Sequence, residues 1–255
     1  MKFTLVKGTK NNLKETIFDF QHFSQDPKVR PMALDVLLQA EELDDPELAY
    51  RYGCRNGLCG VCTVEVNGRT KLACRTKVRE GDKIAPMQDL PVLKDFVVKR
   101  DAISRQLQGR LPSPTGEGSK GKEDNKAFKS LNRCIECYAC VQGCHLHEKN
   151  DLHAAVYECG NPFSFLKLQQ VLVDPCASEM DKKTANQAAL DLGLKDCLDC
   201  KGCRCGVGID MKKEVIRPLL QANNLIRPDS HWHPDFKANK KKKQAAKLIV
   251  SSVDS

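Results

Sequence analysis

Twelve of the chain's fourteen cysteines fall into three tight groups. The first is Cys54, Cys59, Cys62 and Cys74, a C-x4-C-x2-C run with one more thiol after an eleven-residue gap. The second, Cys134, Cys137, Cys140 and Cys144, has the form C-x2-C-x2-C-x3-C, and the third is Cys197, Cys200, Cys203 and Cys205. Clustered thiolates select soft metals, so zinc and iron-sulfur clusters are the two chemistries to separate. Cys159 and Cys176 stand alone and read as small apolar fillers.

Spacing divides the two chemistries. A structural zinc ribbon joins two C-x2-C knuckles through a longer connection, whereas three cysteines each two residues apart curl around one cube. The first group has the plant-type 2Fe-2S spacing and the second the bacterial ferredoxin spacing. A purely structural zinc protein is the competing reading, and metal analysis separates it from an electron carrier.

Residues 1–105 read as a small α+β unit that presents the first group. Lys2 to Lys7 and Thr16 to Phe23 look like strands, the second with Phe18 and Phe20 on one face. After Pro31, the recurrence of Ala33, Val36, Leu37, Ala40 and Leu43 predicts a core-facing helix. Thr63 to Val66 and Thr70 to Cys74 flank Asn67-Gly68, a type I′ hairpin that returns Cys74 towards Cys62. Gly53, Gly57 and Gly60 interleave the ligands and are expected to let backbone amides approach the sulfides.

Residues 106–125 form a Pro-, Gly-, Ser- and charge-rich linker or exposed loop. Residues 126–235 carry short helical patches, Phe163 to Val173 and Glu214 to Leu220, the latter stopped or bent at Pro218. A helical domain is expected, wrapped around two clusters that substitute for an apolar core. The Lys-rich tail, 236–255, reads as a solvated end.

Composition closes off other classes. The chain has 255 residues, 41% hydrophobic and 29% charged, and contains no apolar run near the roughly 18 to 20 residues of a bilayer span. Its N-terminus lacks an apolar stretch followed by a small-residue cleavage site, so reduced thiols in the cytoplasm are expected. A formal net charge of +8 invites nucleic acid, yet twelve ligating thiolates bring the loaded protein nearer to neutral, and no nucleic-acid partner is expected.

The stretches RYGCRNGLCGVCTVEVNGRTKLAC, CIECYACVQGC and CLDCKGCRCGVGID, in this order, resemble the iron-sulfur subunit of succinate dehydrogenase and fumarate reductase. That resemblance implies an α+β chain, an N-terminal β-grasp domain of the plant-type 2Fe-2S ferredoxin kind followed by an all-helical, bacterial-ferredoxin-like domain. It implies an electron-transfer subunit with no substrate site of its own. A FAD-containing flavoprotein would oxidise succinate or reduce fumarate, and a membrane anchor would serve quinone near the third cluster. The protein would then lie peripherally on the inner face of the cell membrane. The implied ligands are Cys54, Cys59, Cys62 and Cys74 for 2Fe-2S, and Cys134, Cys137, Cys140 and Cys205 for the first 4Fe-4S cluster. Cys144, Cys197 and Cys203 would hold the third cluster, which is 3Fe-4S in most members.

Here Cys200 stands where most members lack a thiol, so a complete 4Fe-4S cube on Cys144, Cys197, Cys200 and Cys203 is expected. Its lower potential suits menaquinone. Other departures are His145 and Gly206 in place of prolines, and a single residue, Arg204, between Cys203 and Cys205, which must point to opposite sides of an extended segment to serve different clusters. The stretch after Cys144 also lacks the Trp-containing quinone segment of common members. This favours an alternative in which the same wire serves another flavoprotein or a soluble thiol, heterodisulfide or ferredoxin partner. His145, His147 and His153 read as surface groups ahead of tuning or ligating ones, and His231 and His233 as packing or solvent-facing.

Overall fold

The computed structural model describes residues 1–10, 12–24, 26, 28–114, 125–200 and 202–228. Half of the linker (115–124), the Lys-rich tail and His231 and His233 lie outside these residues.

A five-stranded sheet organises the N-terminal part. β1 (Lys2–Thr9) pairs antiparallel with β2 (Asn12–Asp19), and β3 (Thr63–Val66) with β4 (Arg69–Leu72). β5 (Lys83–Ala85) joins the two hairpins, parallel to β1 and antiparallel to β3, for the order β2-β1-β5-β3-β4. β2 thus begins four residues earlier than periodicity suggests, because Asn12 to Glu15 are exposed and carry no apolar alternation. It also ends before Phe20, which is nonetheless buried beside Phe18.

Helix α1 (Ala33–Leu43) covers one face of this sheet. Ala33, Leu34, Val36, Leu37 and Ala40 are buried with Phe3, Leu5, Val64 and Ile84. Leu43, expected to face the core, is exposed in the helix's last turn. The helix starts where the Asp35 carboxylate accepts the Met32 amide at 2.8 Å, closing the first turn, and where the Ala33 amide reaches the Thr76 carbonyl at 2.8 Å. A short hairpin of β6 (Val92–Lys94) and β7 (Val97–Val98) follows, then helix α2 (Asp101–Arg105).

From residue 125 onward the described residues contain helices and no strands. Helix α3 (Lys126–Leu131) is capped by Asn125, and α4 (Pro162–Val173) by the buried Asn161. The Asn161 side chain accepts the Phe163 and Ser164 amides at 3.0 and 3.1 Å. Helix α5 (Glu179–Asp191) is capped reciprocally by Ser178 and Asp181. A π-helical turn, Met211–Ile216, runs into α6 (Arg217–Ala222), with Pro218 in the first turn of α6. Proline supplies no amide hydrogen, and the widened turn before it neither stops the helix there nor leaves a gap in it.

The helical part does have its own apolar core, contrary to the expectation that clusters would replace one. Phe163, Phe165, Leu168, Leu192, Val215 and Leu219 are buried together. Met87, Leu90 and Ile103, from the chain before the linker, and Leu107 at its start enter the same core. Gln106 and Leu107 are therefore buried rather than exposed at the linker's start, and the Gln106 amide group donates to the Tyr157 carbonyl at 3.2 Å.

Candidate metal centres

The first cysteine group is built by one loop and the hairpin behind it. Thr63 pairs with Leu72 across β3 and β4, and the Ala73 amide donates to the Cys62 carbonyl at 2.9 Å. This register sets Cys74, in a 3-10 turn at Ala73–Arg75, beside Cys62. The two thiols interact, and burial pushes Cys62 up to about 11. At the loop's other end Cys54 is exposed, and its sulfur accepts the Asn56 and Leu58 amides at 3.4 and 3.2 Å. Those amides, with the Cys59 thiol, bring Cys54 down to about 7.

The loop itself is held from outside. Asp95, nearly buried between β6 and β7, accepts the Gly8 amide at 2.7 Å and the Ala49 amide at 2.9 Å, fixing the chain as it enters the loop. Tyr50 and Tyr52 stack with ring centroids 5.6 Å apart, and the Tyr50 hydroxyl donates to Glu41 of α1. Gly60 has φ +68°, and a Cβ there would sit 2.1 Å from the Ile135 carbonyl oxygen. Its glycine thus answers to the helical part of the chain, and no sulfide approach is needed to explain it.

The remaining thiols sort into two sets that interleave distant segments. Burial raises Cys134, Cys137 and Cys140, reinforced at Cys134 by Cys205 and Glu136, at Cys137 by Cys205 and Cys134, and at Cys140 by Cys137, Cys134 and Cys205. Cys205 accepts the Val207 amide at 3.4 Å, and a Cβ on Gly206 would come within 3.4 Å of the Cys137 sulfur. Burial likewise raises Cys144 and Cys197, whose thiol neighbours are Cys200 for the former and Cys144 and Cys200 for the latter. The Cys200-Cys203 hydrogen bond lowers Cys200 to about 5 and raises Cys203, which also faces Cys144 and Cys197.

Cys203 and Cys205 thus have different thiol neighbours, the former Cys144, Cys197 and Cys200 and the latter Cys134, Cys137 and Cys140. The reason differs from the extended segment expected, since residues two apart in a regular strand share a face. The divergence needs an irregular backbone, and Gly202 at φ +150° immediately precedes it.

Histidines fill roles that composition did not reveal. His147 is buried: its Nε2–H donates to the Asp89 carbonyl at 2.8 Å, its ring lies edge-on to Tyr157, and burial lowers its pKa. His145 is half-buried and hydrogen-bonds Cys200. His153 is exposed, as expected. Cys159 and Cys176 are only partly buried, less than a filler role predicts.

These donors suit an iron-sulfur core. Several thiols crowded in a desolvated pocket ionise together only when a polycationic core offsets their charge. Amides aimed at the Cys54 sulfur favour the same anionic form. Among the described residues, no three His, Cys, Asp or Glu side chains are gathered for a single metal ion.

Comparison with known proteins agrees with the donor chemistry. Residues 2–105 match the family described as 2Fe-2S iron-sulfur cluster binding domain. Over 217 residues the chain is 32% identical to the mitochondrial succinate dehydrogenase [ubiquinone] iron-sulfur subunit 3 of Arabidopsis thaliana, covering 78% of this chain and 69% of that one. The chain belongs to the succinate dehydrogenase and fumarate reductase iron-sulfur subunit family. Another member, a fumarate reductase (CoM/CoB) subunit of Methanothermobacter marburgensis, is 31% identical over 198 residues. That match covers 75% of this chain and 38% of the relative, so the chain spans well under half of it.

The fold is also that of a family complex. A chain of the Mycobacterium smegmatis Sdh1 complex in the apo form superposes with a TM-score of 0.75 at 20% identity, covering 90% of this chain and 98% of that one. No helix among the described residues of this iron-sulfur subunit is long and apolar enough to cross a membrane.

Proposed function

We propose that the chain carries electrons from or to a FAD-containing flavoprotein acting on succinate or fumarate, with a membrane-anchored quinone site at the other end and menaquinone the better match. In this reading residues 1–105 are a β-grasp domain of the plant-type ferredoxin kind, with Cys54, Cys59, Cys62 and Cys74 holding 2Fe-2S. Residues 126–235 are a bacterial-ferredoxin-like helical domain, where Cys134, Cys137, Cys140 and Cys205 hold one 4Fe-4S cluster and Cys144, Cys197, Cys200 and Cys203 a second. When bound, such clusters exchange single electrons at potentials set by ligand type, net charge, hydrogen bonds and exposure. The chain's own part is to space them, to shield the inner two from water and to direct amides at their sulfurs. The complex would rest peripherally on the inner face of the cell membrane.

One observation supports this reading: Cys205 acts on Cys140 together with Cys134 and Cys137, with Gly206 packed against the Cys137 sulfur, whereas the thiols acting on Cys203 are Cys200, Cys144 and Cys197. A zinc ribbon pairing adjacent knuckles has no need of it. The first group's outer edge, with Cys54 at the surface and Tyr52 and Leu58 exposed around it, suits docking of a redox partner. Co-expression with candidate flavoprotein and anchor subunits, purification of the complex, and assay of succinate oxidation and fumarate reduction test it. A stable complex that handles neither acid contradicts it.

A second reading has its own support. The Methanothermobacter relative is named for CoM/CoB and not for a quinone, and the segment after Cys144 lacks the aromatic quinone stretch. There the same wire would end on a soluble thiol or heterodisulfide partner. Turnover with dithiols in place of quinone analogues separates the two.

A further inference from the structure

Arg100 occupies the junction between the first and second cysteine groups. It follows β7 and precedes α2, and its half-buried side chain turns inward. Nη1 donates to the Gly60 carbonyl at 3.3 Å and Nη2 to the Val61 carbonyl at 3.2 Å, so the guanidinium grips the loop immediately before Cys62. Its central carbon lies 5.8 Å from the centre of the Tyr138 ring, next to Cys137. Gly60 is the residue whose missing Cβ admits the Ile135 carbonyl. One side chain therefore touches both thiol-bearing segments where they meet.

Its electrostatics are unusual for a half-buried arginine. Burial lowers its pKa; Arg51 opposes its charge, while Tyr138, Cys137 and Cys62 favour it. Its Nε is buried without a hydrogen-bond partner. A buried cation is retained only when something offsets its desolvation. Two carbonyls and a ring face do so in part, and Arg51 opposes them. The groups able to complete the balance are the thiolates on either side together with whatever they bind.

We propose that Arg100 is a positioning residue that serves as the shared counter-charge of the first and second centres, locking their two loops together and raising both reduction potentials in step. This rests on the cluster assignment above. Gaining an electron makes a thiolate-ligated cluster more negative, so a fixed cation beside it favours the reduced form and lifts its potential. Acting on both neighbours, Arg100 lifts them together and leaves the third centre, on Cys144 and Cys197 to Cys203, nearly unmoved.

The test is redox titration of the anaerobically purified full chain, following each centre by electron paramagnetic resonance, in wild type, Arg100→Gln, Arg100→Lys and Arg79→Gln. Arg79 is an exposed cation of the same sheet unit. Arg100→Gln is expected to lower the 2Fe-2S and first 4Fe-4S potentials together, with the third centre held. Arg100→Lys, which keeps the charge, should stay near wild type, as should Arg79→Gln. A fully loaded Arg100→Gln protein with both potentials unchanged, or with only one moved, overturns the proposal, as does an equal shift in Arg79→Gln. If Arg100→Gln fails to retain both clusters, Arg100→Lys decides: retention at wild-type potentials supports the shared charge, and the same loss overturns it. Wild-type protein without the first two centres ends the underlying cluster reading instead, so the two failures are distinct.

Discussion

The first cysteine group and the two behind it are assembled by opposite strategies. Three of the first four thiols lie in one nine-residue loop, Cys54 to Cys62, and the hairpin supplies the fourth. Cys54 is open to solvent, with backbone amides aimed at its sulfur. The inner sets instead draw on Cys134 to Cys144 and Cys197 to Cys205, which α4 and α5 separate in sequence. There burial, more than backbone hydrogen bonding, dominates each shifted thiol apart from the Cys200-Cys203 pair. A local, amide-lined loop gathers its thiols over a short stretch of chain. A site made by two distant segments exists only when the helical core has already brought them together.

The sharpest way to break this contrast is to damage that core. Phe165→Ala removes a fully buried ring of α4 and should cost about 3–5 kcal/mol of stability. The expected result in denaturant titration and electron paramagnetic resonance is loss of the two 4Fe-4S centres ahead of 2Fe-2S. Equal loss of all three would mean that the two regions are not separately organised. The converse substitution, Cys74→Ala, should abolish the 2Fe-2S signal and leave both cubes; survival of every centre would refute the first ligand set.

A finer cut falls within the third set. Cys200→Ser should convert that centre to 3Fe-4S, seen as a new signal in the oxidised protein and one iron fewer per chain. An unchanged spectrum would remove Cys200 from the ligands. Smaller again, Asn161→Ala takes away the cap of α4 and should cost about 1 kcal/mol, read as a lowered denaturant midpoint with all centres retained at rest.

The smallest effect concerns pH. Burial lowers the His147 pKa from 6.5, so the unfolded chain takes up the proton first as pH falls. The stabilisation is fully present above pH 6.5 and is lost as pH drops towards the folded-state pKa. Wild type should therefore lose stability relative to His147→Phe between pH 7.5 and 5.5; parallel pH profiles would show that His147 is not the titrating group.

The same contrast explains which features the sequence disclosed. Local pattern sufficed for α1, whose apolar residues recur at helical spacing, and for the Asn67-Gly68 turn, where φ is +51° and +68°. It sufficed for the first thiol loop as well. Helix α5 escaped notice because its buried face is three alanines and an aspartate, which give no apolar period; the Ser178-x-x-Asp181 cap was its only local sign. The burial of His147, Gln106 and Leu107 depends on partners some fifty residues away, Asp89 and Tyr157 among them. No window along the chain contains those contacts. The Cys203-Cys205 divergence came from the ligand sets that the family resemblance implies, and regular strand geometry gave the wrong reason for it.

The most direct measurement is iron, acid-labile sulfide and zinc per chain in anaerobically purified protein. Two, four and four irons in the three centres predict about ten iron and about ten sulfide, with a brown solution and negligible zinc. A colourless protein holding zinc and no labile sulfide would contradict the account at its root.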